Sequence, residues 1–282
     1  MQYQLSIIMP TCNRNDTLLR AIDSVLYQGI EKIEVVVVND GVDELPASIT
    51  EIYSRYPFII FIKNSGDKGA AGARNFGVKN ARGNYISFLD DDDIYLPGRL
   101  VNMLSEMESN QSIFVSSGRF YEIGDFSEIH NVPYQYTGKV TLEDIKYAND
   151  IDIGFMVLRS DFLRLGGFDT SFTNLEDWDF VIRMLKDGTG YKVGRLDYAV
   201  NINSNRARVS TNDFKGYREL AQKYQQEFGL KWYFYMLVMA DRLEDRLTLS
   251  KTIFYTFKSS TSLPFIIYLK YKLQFIKKCF IN

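Results

Sequence analysis

Glu34-Val35-Val36-Val37-Val38-Asn39-Asp40-Gly41 is the stretch on which the fold turns. Four consecutive β-branched residues, with no polar alternation, read as a strand buried on both faces, the habit of a parallel sheet covered by helices. The flanking segments repeat the pattern. Upstream, Leu5-Ser6-Ile7-Ile8-Met9 is a short apolar run stopped by Pro10, and Leu18, Leu19, Ile22, Val25 and Leu26 follow at helical spacing. Downstream, the spacing predicts a helix over 45–56, a strand over 58–62, a helix over 72–81 and a strand over 85–89. Strands alternating with helices at this interval predict an α/β fold with a mostly parallel central sheet flanked by helices. Ligands of such sheets bind beyond the carboxyl ends of the strands. Three polar clusters fall there: Thr11-Cys12-Asn13-Arg14, Asn39-Asp40-Gly41 and Asp90 to Asp93.

The middle of the chain is less regular. Strands are expected at 113–118, 155–158, 193–196 and 199–202, a loop or hairpin over 125–138 and a helix over 177–185. Ser160 is expected to cap a short helix that stops at Gly166-Gly167. Beyond Asn212 the periodicity is helical, with breaks near Gly229 and Pro264. The expected organisation is a domain of residues 1–211 followed by a C-terminal helical region, residues 212–282.

Of the 282 residues, 46% are hydrophobic and 24% charged, a globular balance able to bury a sizeable core. The formal net charge of −2 carries no basic surplus, so nucleic acid is not an expected partner. The two cysteines, Cys12 and Cys279, lie at opposite ends, and His130 is the single histidine, which disfavours a disulfide framework and a zinc site. Cys12 has no histidine near it in sequence and is expected to be a buried pocket neighbour rather than a nucleophile. Met1-Gln2-Tyr3-Gln4 runs straight into the first strand, so no signal peptide is expected. The longest apolar runs, 232–240 and 263–269, fall short of the ~20 residues that cross a bilayer. The expected location is the cytoplasm or the cytoplasmic face of its membrane.

Ile86-Ser87-Phe88-Leu89 leads directly into Asp90-Asp91-Asp92-Asp93. Four adjacent carboxylates repel one another, and stability does not ask for them at the end of a buried strand. A divalent cation would offset the repulsion, and oxygen ligands suit Mg²⁺ or Mn²⁺; the plainer reading is a solvated acidic turn before a helix opened by Pro97. The glycine-rich loop 64–75 lacks the Gly-Lys-Ser/Thr of a P-loop, and no Gly-x-Gly-x-x-Gly follows a strand, which weakens ATPase and dinucleotide-binding readings. Arg74, at the start of a helix, is suited to holding a phosphate or supporting the acid loop. Leu175-Glu176-Asp177-Trp178-Asp179 reads on its own as an acidic helix N-terminus. The aromatic run 232–235 suits a sugar platform but, at helical spacing, fits a core contact better.

Taken together, Ser6 to Arg14, Val37 to Gly41, Ala73-Arg74-Asn75, Gly83 to Asp93, Gly166-Gly167-Phe168-Asp169 and Glu176 to Asp179 resemble, in order and spacing, the family 2 glycosyltransferases of the GT-A fold over residues 4–210. The resemblance implies an inverting, metal-dependent enzyme that moves a hexosyl or N-acetylhexosaminyl group from a UDP-sugar to a glycan hydroxyl, in bacterial surface-polysaccharide assembly. Pro10, Thr11 and Arg14 would then line the nucleotide pocket, and Asp40 would accept from the uracil ring. Arg74 would stand beside the diphosphate, Asp90 and Asp91 on the ribose side, and Asp92 on the metal (Mn²⁺ or Mg²⁺). Asp177 would be the catalytic base with Glu176 as its rival, and Gly167, Phe168 and Asp169 would form the acceptor side. The chain departs from the family at Val42, where a serine is frequent, and at Asn205, where a histidine usually stands. Arg206 and Arg208 are candidates to share phosphate neutralisation there. Two other readings stand beside this one: a non-catalytic nucleotide-sugar-binding subunit, and a sugar-phosphate nucleotidyltransferase, which the absence of a glycine-rich basic loop after the first strand disfavours.

The tail has its own character. From Lys251 to Asn282 there are six lysines and no acid, which leaves −8 for residues 1–250. Phe265, Ile266, Leu269, Leu273, Ile276 and Phe280 fall on one arc at helical period, bordered by Lys270, Lys277 and Lys272. Three occupants are weighed for that arc: an anionic membrane surface carrying a lipid-linked glycan acceptor, the catalytic domain, and a second copy in a homodimer.

Overall fold

The computed structural model describes residues 3–124, 126–132, 136–202 and 213–281, with side chains through residue 273. Its contacts form two compact units, Met1–Thr170 with Asp177–Arg206 and Ser171–Glu176 with Ala207–Asn282.

In the first unit the expected alternation is present as β1 (Leu5–Thr11), α1 (Asn15–Leu26), β2 (Ile33–Asn39), α2 (Ala47–Ile52), β3 (Ile59–Lys63), α3 (Ala70–Asn80) and β4 (Tyr85–Phe88). There follow β5 (Ile94–Tyr95), α4 (Arg99–Ser109), β6 (Phe114–Ile123), β7 (Glu128–Asn131), β8 (Gly138–Val140), α5 (Leu142–Ile145), β9 (Met156–Leu158), α6 (Arg159–Arg164), α7 (Glu176–Asp187) and β10 (Gly190–Asn201). Among the described residues these strands make one sheet of order β3-β2-β1-β4-β9-β6-β10-β5, with β7 beside β6 and β8 beside β10. The β3-β2-β1-β4 half is parallel; β9 and β5 run against their neighbours.

Every residue of β2 is buried, as its valine run requires. Close packing of α3 on the sheet needs a residue without a side chain at Gly77, where a Cβ would lie 2.4 Å from Ile8 Cγ2 and 2.9 Å from Val38 Cγ2. Where two short strands are expected near 193 and 199, the chain forms the single strand β10. Its register on β6 shifts between Val193 and Tyr198, and the exposed residues 194–196 interrupt the apolar pattern there. Strand β6 likewise continues past Gly118 to Ile123, where Gly118 to Glu122 pair with β10 between Leu196 and Asn201.

The second unit carries α8 (Asp213–Leu243), α9 (Leu249–Ser259) and α10 (Leu263–Ile281). Helix α8 breaks at Gly229, whose φ of +78° is left-handed, and the break near Pro264 falls between Ser259 and Leu263, with Pro264 in the first turn of α10. Trp232 is fully buried against Phe228 and Tyr224, so its ring is core and not a sugar platform. Asp241 is the unit's polar centre. It is buried and accepts from Arg218 at 2.9 Å, Lys251 at 2.8 Å and Tyr255 at 2.9 Å.

Candidate active site

Parallel pairing brings the polar clusters to one sheet edge. Thr11 is in register with Asn39, Asn39 with Lys63, and Ile8 with Phe88, so Asp40, Asn64 and the acid loop after β4 all begin at the same level. Asp40 N donates to Thr11 O at 2.8 Å, and Leu89 N to Ile8 O at 3.1 Å, which carries the ladder into the loops. Gly41 lies against Asn13, itself left-handed at φ +57°; a Cβ on Gly41 would stand 2.7 Å from Asn13 Oδ1.

The four acids divide into separate roles. Arg74, nearly buried on α3, donates to Asp90 Oδ1 at 2.5 Å. Arg14 spans the next two, with Nη1 at 3.1 Å from Asp91 Oδ1 and 2.7 Å from Asp92 Oδ2. Burial pushes the Asp91 carboxyl up to about 6, and its acidic neighbours add to that. Thr11 Oγ1 and Asp91 Oδ2 are both buried with no partner in hydrogen-bonding geometry, although the hydroxyl is near enough to pull the carboxyl down. Among the described residues, Arg14 and Arg74 thus divide Asp90, Asp91 and Asp92 between them.

Asp93 turns inward. It accepts from Tyr198 Oη at 2.8 Å and Asn201 N at 2.9 Å, both from β10. Burial holds its carboxyl well above the ordinary range, and the charges of Asp92 and Asp90 raise it further. Beneath it, Arg99 is wholly buried with its guanidinium 4.8 Å from the Tyr95 ring and 4.9 Å from the Tyr198 ring. Arg99 donates to Asp152 at 3.1 Å, Asp197 at 2.9 Å and Gly154 O at 2.8 Å, and to Ser117. The acid loop thus rests on a buried cation reached through Tyr198. Sequence alone does not suggest this floor: Arg99 and Tyr95 stand close to Asp93 in the chain, but Asp152, Asp197 and Tyr198, which complete it, come from distant elements.

Asp40 is built into the neighbouring loop. Its two oxygens accept from Asn64 Nδ2 at 2.7 Å and Gly69 N at 2.9 Å, with Lys68 Nζ 3.4 Å away. A carboxylate keeps lone pairs for further donors, so this does not bar a ligand N–H. Pro10 is half-buried, and Cys12 is exposed rather than buried, a correction that follows from the loop turning outward after Thr11.

On the remaining side, Asn75 of α3 clamps the backbone of Phe168, with Nδ2 donating to its carbonyl at 2.8 Å and Oδ1 accepting from its N–H at 2.9 Å. Gly167 has a φ of +69°, and its carbonyl accepts from Arg183 at 2.7 Å. The Phe168 ring is buried among Phe88, Phe155, Phe162 and Phe180, so it supports Arg74 from behind, 5.8 Å from that guanidinium. Asp169 follows, half-buried.

Asp177 is half-buried in the first turn of α7, one oxygen accepting from Trp178 N at 2.8 Å. Trp178 is locked by its indole N–H on Ile145 O at 3.0 Å. The turn before α7 is strained: Leu175 has φ +62°, at a cost of roughly 1–3 kcal/mol for a non-glycine residue. Within the second unit, Asp213 is pushed up to about 6 by burial and by the charge of Glu176. The late positions Asn205, Arg206 and Arg208 lie outside the described residues, as do the side chains of Ile276, Lys277 and Phe280.

No three His, Cys, Asp or Glu side chains converge on a common point among the described residues. A divalent cation would therefore take one or two carboxylates from the acid loop and fill its shell with phosphate oxygens and water. The residues fit that role. Asp91 keeps an unpartnered oxygen, Asp92 is partly open, and a guanidinium already draws on both.

Comparisons with known proteins bear on the family and the fold. Residues 6–166, more than half of the chain, match the model of the Glycosyl transferase family 2. YwdF of Bacillus subtilis (strain 168), described as an uncharacterized glycosyltransferase, is 32% identical over 202 residues, covering 70% of this chain and 72% of that protein. Escherichia coli WfgD, a UDP-Glc:alpha-D-GlcNAc-diphosphoundecaprenol beta-1,3-glucosyltransferase, is 30% identical over 214 residues, 76% of this chain and 82% of WfgD. The structure of S. aureus TarS 1-349 in complex with UDP-GlcNAc aligns with a TM-score of 0.65 at 18% identity, over 88% of this chain and 74% of the TarS chain, a likeness of fold. With its acids, arginines and glycines standing at the carboxyl edge of such a sheet, this chain belongs to glycosyl transferase family 2, on a GT-A fold.

Proposed function

We propose that the chain transfers a hexosyl or N-acetylhexosaminyl group from a UDP-sugar to a hydroxyl of a lipid-linked glycan, with inversion, in bacterial surface-polysaccharide assembly. The observation that carries the proposal is the acid loop flanked by Arg14 and Arg74 at the carboxyl edge of the sheet. The donor and acceptor classes are supported by the name of WfgD, and the nucleotide by the UDP-GlcNAc complex of TarS.

The roles follow from chemistry. Asp40 offers a fixed acceptor for an N–H of the base, and Pro10 with Thr11 bounds the same pocket. Arg74 and Arg14 balance diphosphate charge, Arg14 being free to do so once the acids it spans are otherwise neutralised. Asp92, with Asp91, would hold Mn²⁺ or Mg²⁺, which when bound supplies Lewis-acid stabilisation of the leaving diphosphate. An acceptor hydroxyl is a poor nucleophile near neutral pH, so Asp177 takes its proton as the acceptor oxygen bonds to the anomeric carbon. The bond from that carbon to the diphosphate oxygen breaks on the opposite face, and no covalent enzyme intermediate forms.

UDP release measured across a panel of UDP-sugars tests this reading. Asp177→Asn should keep UDP-sugar binding and lose turnover; wild-type turnover in that variant rejects the base assignment. Full activity in excess EDTA rejects Asp92 as a metal ligand.

A further inference from the structure

Helices α9 and α10 pack on α8 and on each other, and what they leave outward is apolar. On α9, Leu249, Ile253 and Phe257 recur every fourth residue and are exposed, Phe257 at 80%. On α10, Phe265, Leu269 and Leu273 repeat the same spacing and are also exposed, Leu273 at 59%. Meanwhile α9 buries Thr252 and Ser259, and turns Tyr255 in to Asp241. This inverts the usual polarity of a helix on a water-soluble core, where the apolar row faces inward.

Charge selects the occupant of this face. Residues 251–282 carry six lysines and no acid, on a chain otherwise at −8. Lys258 and Lys270 are exposed on these same helices, and Lys258 Nζ stands 5.8 Å from the Phe254 ring. A second copy docking on this face would set lysine against lysine. An anionic lipid surface meets both the apolar rows and their cations. No helix among the described residues is long and apolar enough to cross a membrane, which leaves the plane of the interface.

We infer that the outer face of α9 and α10 seats on an anionic lipid bilayer, with Phe257 and Leu269 entering the boundary of the acyl region and Lys258 and Lys270 reaching phosphate level. This does not depend on the transfer reaction, so vesicle binding and UDP release are read separately. The full chain is sedimented with vesicles of phosphatidylcholine alone and of phosphatidylcholine with phosphatidylglycerol. It should pellet with the anionic vesicles, less so as salt rises. The double variant Phe257→Ser/Leu269→Ser should weaken partitioning about tenfold or more. Lys258→Glu/Lys270→Glu should abolish the preference for phosphatidylglycerol. Both should keep the melting temperature and the UDP-release rate with a soluble acceptor. Independently, the fluorescence of Phe257→Trp should shift to the blue on anionic vesicles. Recovery of the full chain in the supernatant overturns the inference. So does undiminished binding by both double variants, or a wild-type dimer in solution that Phe257→Ser/Leu269→Ser converts to monomer.

Discussion

Asp93 under the acid loop and Asp241 in the helical unit are both buried, and each accepts from a tyrosine hydroxyl, Tyr198 at 2.8 Å and Tyr255 at 2.9 Å. Their ionisation runs in opposite directions. Burial alone raises a carboxyl in both places. At Asp241 the hydrogen bonds from Lys251, Tyr255 and Arg218 outweigh it and hold the group below the ordinary range. At Asp93 the other donor is a backbone N–H and the nearby charges are acids, so the group stays well above it. The two carboxylates thus show how much the charge of the partners contributes to whether a sheltered acid is held ionised or pushed toward its neutral form. The helical unit gathers cations around its acid; the sheet edge sets acids beside one another.

The sharpest way to break that contrast is Asp92→Asn. It should lower the transfer rate about 10³-fold while leaving the melting temperature unchanged or slightly higher, since it removes a repelled charge and, with it, the cation's support of the leaving group. Loss of stability instead, with catalysis intact, would make the acid loop a second structural centre like Asp241. Next in size, Asp241→Asn should cost about 2–3 kcal/mol in urea unfolding, because a charge-assisted hydrogen-bond hub loses its anion. A change within about 0.5 kcal/mol would show that the three donors do not depend on it.

The same hub predicts a pH dependence with a definite sign. A carboxylate held below its unfolded value contributes stability above pH ~4, and that contribution is lost as pH falls through the folded value. The stability gap between wild type and Asp241→Asn should therefore close on acidification below pH ~4. A gap that stays constant there removes the charge from the explanation. The smallest effect is expected at Asp93→Asn, within about 0.5 kcal/mol of wild type in either direction. The amide oxygen can accept from Asn201 N, and its NH₂ can donate to the Tyr198 hydroxyl, which reverses its own role. A loss as large as that at Asp241 would mean that Asp93 is ionised and paired after all.

How much of this was legible in the sequence follows from the range of the forces involved. The valine run of β2 and the helical spacing of Leu18 to Leu26 are local signals, and the parallel half of the sheet follows from them. The reversed directions of β9 and β5 depend on connections no short window contains, and the bulge in β10 looks like a gap because residues 194–196 are exposed. In the site, adjacency alone makes Asp90 to Asp93 conspicuous. That Asp93 belongs to the core is set by Tyr198 and Asn201, 105 and 108 residues away. Arg14, read as lining the nucleotide pocket, lies across Asp91 and Asp92, a pairing that only the folded loops create. Asp213 escapes notice because its significance is the proximity of Glu176, brought about by tertiary packing.

Arg99 has a consequence for motion. One guanidinium joins α4 to β6, β10 and the 152–154 turn, wholly out of water, with two tyrosine rings around it. Partial opening of any one of these elements would strand a buried charge, so their amide hydrogens should exchange together and slowly. Asp93 is tied to that slow-opening block through Tyr198. The floor of the acid loop is thereby tied to that block, and local opening at the sheet edge is expected first in its loops, among them the 64–69 segment hung on Asp40.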